Sequence, residues 1–362
     1  MFYSAYTCKG NTGDILINKL QIEEYARYGE VYVDCTDMPM DFCRVIFDTK
    51  NPNIRDFVKV YGINYRSRHL IRVLRLLKKE KFTHFTKSPG PYAYIKFPFK
   101  TFLIRVLGAL SYFTAKSFGM KVIALGIDLN YSQAPQWLQR LNNYYFRVYY
   151  QIGIRSLKNT QQLSKALTNV MYIPDMAFLY PLSARETCKP KEKRVALSFR
   201  KVENEECLVE ILKTICGYFS EKQYEIDIVY QVEEDKAMSK RLFHSIKSDS
   251  IYLTETLIDY YSLDIYKRYD FVISNRLHVL LMAAMNGSVP YGIISQNVKE
   301  NKIKDIFDSV FESRLVSYLE NFKCDNISAI CDNQDTLRNE VKKSVMVQQS
   351  LCVKLISELF KN

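Results

Sequence analysis

Short apolar runs alternate with longer amphipathic ones along the chain, and that alternation predicts an α/β protein with parallel strands. In the N-terminal half it places strands at 2–7, 30–34, 82–86, 121–126, 147–151 and 169–173, and helices at 14–28, 67–80, 100–118, 134–145 and 158–167. A polar stretch with a proline near each end, PLSARETCKPKEK (181–193), then breaks the pattern as a linker would. The alternation resumes with strands at 194–199, 225–230, near 251, 270–273 and 289–294, and helices at 204–219, 234–246, 256–268, 277–286 and 301–311. The tail from 327 to 361 reads as helical. The prediction is two doubly wound, Rossmann-like domains, 1–180 and 194–326, joined by the linker and facing a cleft in a GT-B-like arrangement. Residues 327–362 are expected to form a helix packing back across a domain.

Composition is consistent with this. The chain has 362 residues, 48% of them hydrophobic, enough for two cores of ordinary size. No apolar run reaches the roughly 18 residues of a membrane span, and MFYSAYTCKGNTGD lacks the pattern of a signal peptide. The nine cysteines are dispersed, with no C-x-x-C pair and no zinc-ligand spacing, which predicts reduced thiols, a cytoplasmic protein and no metal.

The net charge of +12 sits in one place. Residues 1–180 carry 25 Lys/Arg against 12 Asp/Glu, and residues 181–362 carry 26 against 27. Residues 66–121 alone hold 13 basic side chains and one acid, Glu80. Within RSRHLIRVLRLLKK (66–79), Arg68, Arg72, Arg75 and Lys79 form one helical stripe, and Leu70, Val73, Leu74 and Leu77 form another. This is either a solvated helix face or a surface for anionic lipid headgroups or the diphosphate of a lipid-linked glycan, peripheral to the inner face of a membrane. No nucleic-acid motif accompanies the charge, so no nucleic-acid partner is expected.

The chemistry concentrates in DFVISNRLHVLLMAAMNGSVPYG (270–292). Helix residues at i and i+2 point to different faces, so Arg276 and His278 share a target only where a helix begins, with Ser274 or Asn275 as its N-cap. Both would then stand at the carboxyl end of a strand, beside a helix N-terminus, where α/β folds bind anions. The alternative is an arginine closing a surface turn and a histidine satisfied in the core. GNTGD (10–14) presents a similar choice. It is either a glycine-bearing turn whose backbone N–H groups meet an anion or sugar, or an ordinary βα turn with Asp14 favoured by the helix dipole.

Four segments in order resemble the polysaccharide pyruvyl transferase family. They are GNTGDILI (10–17), IGIRSLKNTQQLSKAL followed by YIPDMAFLY (152–180), RVALSFR (194–200) and DFVISNRLHVLLMAAMNGSVPYGIISQNVKENKIKDIF (270–307). The resemblance implies transfer of the enolpyruvyl carbons of phosphoenolpyruvate onto hydroxyls of a sugar or lipid-linked oligosaccharide, as in building a surface or capsular polysaccharide. A pyruvate ketal forms, phosphate leaves, and no further cofactor is needed. The family positions that carry over are Arg200, Arg276, His278 and Lys299. Arg200 and Arg276 would hold phosphate and carboxylate, and His278 would act as general acid. Gly10, Asn11, Gly13, Asp14 and Asn275 are the further substrate-binding candidates, and Asp175 reads as a turn-former. Two loops depart from the family pattern, KSPGPY (87–92) and GIDLNYSQAP (126–135), both on the expected acceptor side. The alternative readings are a nucleotide-sugar-dependent glycosyltransferase of the same architecture and a catalytically silent scaffold in glycan assembly.

Overall fold

A computed structural model of the protein describes residues 1–7, 10–65, 69–91, 98–128, 135–182, 193–296, 301–311 and 313–361. Arg68, most of the expected linker, most of the 126–135 loop and Lys299 lie outside the described residues. The chain forms two compact units. The first comprises Met1–Lys9, Asp14–Leu179 and Leu351–Asn362, and the second comprises Gly10–Gly13 and Tyr180–Ser350. The sequence pattern had assigned residues 10–13 to the N-terminal half.

The first unit contains β1 (Phe2–Ser4), β2 (Val31–Asp34), β3 (Ile54–Asp56), β4 (His84–Lys87), β5 (Gly90–Pro91), β6 (Lys121–Asp128), β7 (Gln151–Ile154) and β8 (Val170–Tyr172). The order is β3-β2-β1-β4-β6-β7-β8, every pairing is parallel, and β5 joins β6 at Ile127 and Asp128. The helices Leu70–Lys79, Pro98–Ser117 and Gln136–Phe146 share one core with the sheet, where Leu74, Leu77, Tyr112 and Tyr145 pack with Phe85, Ala124 and Ile152.

The sequence pattern places β7 at 147–151, but it begins at Gln151. The preceding helix runs to Phe146, and the chain turns through Val148 and Tyr149, whose N–H groups donate to the Tyr145 and Phe146 carbonyls at 3.3 and 3.2 Å. β3, β5 and the helices Met40–Phe47 and Phe57–Tyr61 are too short for periodicity to reveal. Where β6, β7 and β8 end, Arg155 is buried between two carboxylates. Its Nη1 donates to Asp175 at 2.6 Å and its Nη2 to Asp128 at 3.3 Å. Asp175 also accepts the Ala177 N–H at 2.9 Å, so it both forms the expected turn and holds a buried ion pair.

The second unit contains β9 (Arg194–Ser198), β10 (Glu225–Ile228), β11 (Ile251–Leu253), β12 (Phe271–Ser274), β13 (Val289–Ile294) and β14 (Val316–Tyr318), in the order β11-β10-β9-β12-β13-β14, all parallel. The strand order therefore reverses between β9 and β12, the position where doubly wound sheets open a crevice for ligands. The helix Leu277–Met285 follows β12. Apart from His278 it is apolar on every side, and all its other residues are buried. Each of its leucines and methionines contributes roughly 1.5–3 kcal/mol by leaving water. Buried Asn286 and Ser288 close it, with the Ser288 hydroxyl 2.6 Å from the Tyr266 and Tyr269 carbonyls.

The helix expected at 256–268 is a 3₁₀ helix, Tyr260–Arg268. It is started by a capping box in which Asp259 accepts the Ser262 N–H and Ser262 accepts the Asp259 N–H. The tail forms helices Cys324–Asp332 and Gln334–Lys361. The latter contributes Arg338 to the second unit, paired with Asp270 at 2.9 Å. It also contributes Phe360 to the first, against Tyr25 and Tyr28. Among the described residues no helix is long and apolar enough to cross a membrane.

Candidate functional site

The site is assembled at the carboxyl ends of β9, β10, β11 and β12. Ser274 ends β12 in register with Ser198, and its hydroxyl donates to the Ser198 carbonyl at 2.5 Å while accepting the Arg276 N–H at 2.9 Å. Asn275 directs both ends of its amide to the loop after β9. Its Oδ1 accepts the Arg200 N–H at 2.8 Å and its Nδ2 donates to the Arg200 carbonyl at 3.1 Å. The Arg200 backbone is thus fixed at the switch point by the residue beside Arg276. Neither Ser274 nor Asn275 is the N-cap that the sequence suggests. Arg276 itself occupies that position in an extended conformation (φ −110°, ψ 118°), because both polar side chains before it are already engaged. The helix begins at Leu277, so His278 is its second residue.

The two arginines differ in what they hold. Arg276 meets Asp235 through both teeth of its fork, Nε to Oδ2 at 2.7 Å and Nη2 to Oδ1 at 2.5 Å. Asp235 follows β10 and its side chain is 4% exposed against 23% for Arg276, so the acid is buried and the cation keeps an open edge. Burial raises the Asp235 carboxyl pKa, and the hydrogen bonds and charge of Arg276 pull against that rise. The sequence expectation offers the Arg276 fork to an anionic ligand, yet Asp235 already fills it, leaving Nη1 outside the pair. Arg200 is exposed and, among the described residues, its guanidinium forms no ion pair. Even so, desolvation lowers its pKa, and the nearby Arg276 lowers it further. The Asp235 charge pulls against both, and an anion bound between the two guanidiniums would do so further.

The GNTG loop completes the wall. Gly10 has φ +63°, a left-handed conformation that glycine adopts without strain, and its carbonyl accepts the Glu233 N–H at 3.3 Å. Asn11 bridges Val232 and accepts the Gly13 N–H at 3.1 Å, and the Thr12 hydroxyl donates to the Ile258 carbonyl at 3.1 Å. Gly13 lies flat against His278. A Cβ there would stand 2.2 Å from Nδ1 and 2.8 Å from the His278 Cβ, so any side chain would displace the ring. Gly13→Ala is therefore expected to slow turnover by about 10²-fold, the usual cost of a misplacement near 1 Å. Steady-state rates read beside a thermal melt would test this, and a wild-type rate would show that Gly13 does not set the ring position.

Of the expected residues, the structure brings together Gly10, Asn11, Gly13, Arg200, Asn275, Arg276 and His278. Asp14 falls in the first turn of the helix Thr12–Tyr25 and groups with the first unit. Lys299 lies outside the described residues. Sequence reasoning misses Asp235, which is one of three consecutive acids in VEED. An open hollow of about 770 Å³ in the first unit, lined by Met1, Tyr28, Tyr32, His84, Lys121 and Phe360, contains none of the expected residues. Burial, then Lys121, lowers the His84 pKa to about 4.

The sequence profile of polysaccharide pyruvyl transferases matches residues 11–293. The chain belongs to that family. The match spans Arg200, Asp235, Arg276 and His278, and ends before Lys299. No curated protein sequence shows significant similarity to the chain. Among solved structures, a glycosyltransferase from Rickettsia africae superposes with TM-score 0.62 at 10% identity over 99% of this chain and 97% of that one. UDP-GlcNAc 2-epimerase from Neisseria meningitidis, bound to UDP-GlcNAc, gives 0.60 at 11% over the whole of both chains. MurG from Acinetobacter baumannii gives 0.50 at 11% over 99% of each. Identities this low establish a shared fold: this member of a transferase family has a GT-B-like architecture.

Proposed function

We propose that the second unit binds phosphoenolpyruvate and transfers its enolpyruvyl carbons to hydroxyls of a sugar in a polysaccharide precursor. The reading rests on the convergence of Arg200, Arg276 and His278 at the β9/β12 switch point. The donor is small and carries both a phosphate and a carboxylate, and a planar fork suits either group. Arg200, with its fork open, takes one anionic group. Arg276, oriented by Asp235, presents Nη1 to the other. His278 delivers a proton to the methylene carbon as a sugar hydroxyl adds to C2 and gives up its own proton. Phosphate then departs and a second hydroxyl closes the ketal. An imidazole suits this step because it is the side chain most often used as a positioned general acid or base.

The fold is shared with sugar-nucleotide enzymes, so the decisive experiment compares donors. Titration calorimetry of the full chain with phosphoenolpyruvate and with UDP-GlcNAc is expected to give heat with the former. Arg200→Ala should weaken that binding at least ~10-fold, since a hydrogen bond to a charged group contributes about 1.5–3 kcal/mol. Binding of UDP-GlcNAc with none of phosphoenolpyruvate would overturn the reading in favour of glycosyl transfer.

A further inference from the structure

Three neighbouring helices of the first unit carry a surface that the donor chemistry does not use. Along Pro98–Ser117, Leu103, Leu107, Leu110 and Phe113 fall at i, i+4, i+7 and i+10 and form one stripe. They are 46%, 57%, 59% and 63% exposed. A soluble helix would bury such a stripe or make it polar. Beside it, Gln136–Phe146 exposes Trp137 and Tyr144, and between the two helices runs an apolar groove of about 300 Å³ lined by Val106, Leu110, Phe113, Leu141, Tyr144 and Val148. On the other side, Leu70–Lys79 exposes Ile71 together with Arg72, Arg75, Lys78 and Lys79.

Charge identifies the partner. The three helices contain eight Lys or Arg and not one Asp or Glu. Exposed Arg140 and Arg147 follow the same face of their helix as Trp137 and Tyr144, and the Arg147 guanidinium stands 5.3 Å from the Tyr144 ring. An apolar ridge with aromatic rings beside it and cations on both flanks matches the layered chemistry of a bilayer surface. Acyl chains would meet the leucines, the interfacial region would meet Trp137 and Tyr144, and anionic headgroups would meet the basic side chains.

We propose that this face docks the protein onto an anionic lipid bilayer, with Leu107, Leu110 and Phe113 entering the acyl boundary. The inference stands whether or not the donor is phosphoenolpyruvate. Such docking would hold the enzyme where lipid-linked acceptors reside, without a spanning helix.

Flotation of the full chain with vesicles of equal parts phosphatidylglycerol and phosphatidylcholine tests it, with phosphatidylcholine vesicles as the comparison. Binding is expected to the anionic vesicles only, and to weaken about 10-fold or more on raising salt from about 0.05 to 0.5 M. The triple variant Leu107→Ser, Leu110→Ser, Phe113→Ser should lose binding while keeping its melting curve, because the replaced side chains are exposed. Arg72→Gln with Arg75→Gln and Lys79→Gln should weaken it as high salt does. No binding to anionic vesicles at low salt would overturn the proposal, and so would undiminished binding by the triple serine variant. Sedimentation equilibrium supplies a further arm. A dimer broken by the serine substitutions would assign the face to a second copy of the chain instead.

Discussion

Replacing His278 with glutamine is expected to slow phosphate release from phosphoenolpyruvate in the presence of acceptor by about 10²–10⁴-fold, the usual contribution of a positioned general acid. Glutamine keeps the size and polarity of imidazole but has no ionisable proton, so donor affinity should change little while turnover collapses. Calorimetry with phosphoenolpyruvate and a phosphate-release assay on the same preparation separate the two effects. A His278→Gln enzyme with near-normal turnover would remove the residue from the chemistry and leave it a packing partner of Gly13.

The largest expected effect on stability lies in the first unit. Arg155→Met keeps the length of the side chain but strands Asp128 and Asp175, both buried, without their shared cation. Breaking a buried pair from one side generally costs about 3–5 kcal/mol, because the remaining charge is left uncompensated. Burial works against the arginine's charge, but Asp175 and then Asp128 outweigh it and raise the guanidinium pKa. Urea titration followed by circular dichroism should show the loss. Adding Asp128→Asn and Asp175→Asn to Arg155→Met should recover much of it, since the stranded charges are then gone. If the triple variant melts as early as the single one, lost packing rather than uncompensated charge explains the damage.

The frame of both units was legible in the sequence because their longer strands are buried on both faces and read as short, continuous apolar runs. RVALS and FVIS announce themselves, and the uniformly apolar LHVLLMAAM can only be interior. The SNRLH spacing also correctly pointed to a helix start, although Arg276 holds the capping position and Ser274 and Asn275 serve the neighbouring strand.

What the sequence could not supply is which distant groups meet. Asp235 is indistinguishable from Glu233 and Glu234 on paper. Only the turn after β10 buries it and leaves its two neighbours exposed. The membership of Gly10–Gly13 was hidden for the same reason, since their partners at Gln231, Val232, Ile258 and His278 lie more than two hundred residues along the chain. β3 (IRD) and β14 (VSY) have no continuous apolar run to mark them, and Met40–Phe47 is too short for its helical period to be read.

The packing of Gly13 on His278 also bears on biosynthesis. A ribosome adds about 5–20 residues each second, so the histidine is made on the order of 13–50 s after the glycine it will lie against. For most of that interval the GNTG loop has none of its later contacts, because the first of them, Gln231, is itself more than two hundred residues away, while the strands of the first unit can already pair. A chaperone or a substrate-like anion that protects this loop should therefore act while the chain is still being synthesised. Slow codons placed between the two segments would lengthen that exposure without changing a single residue.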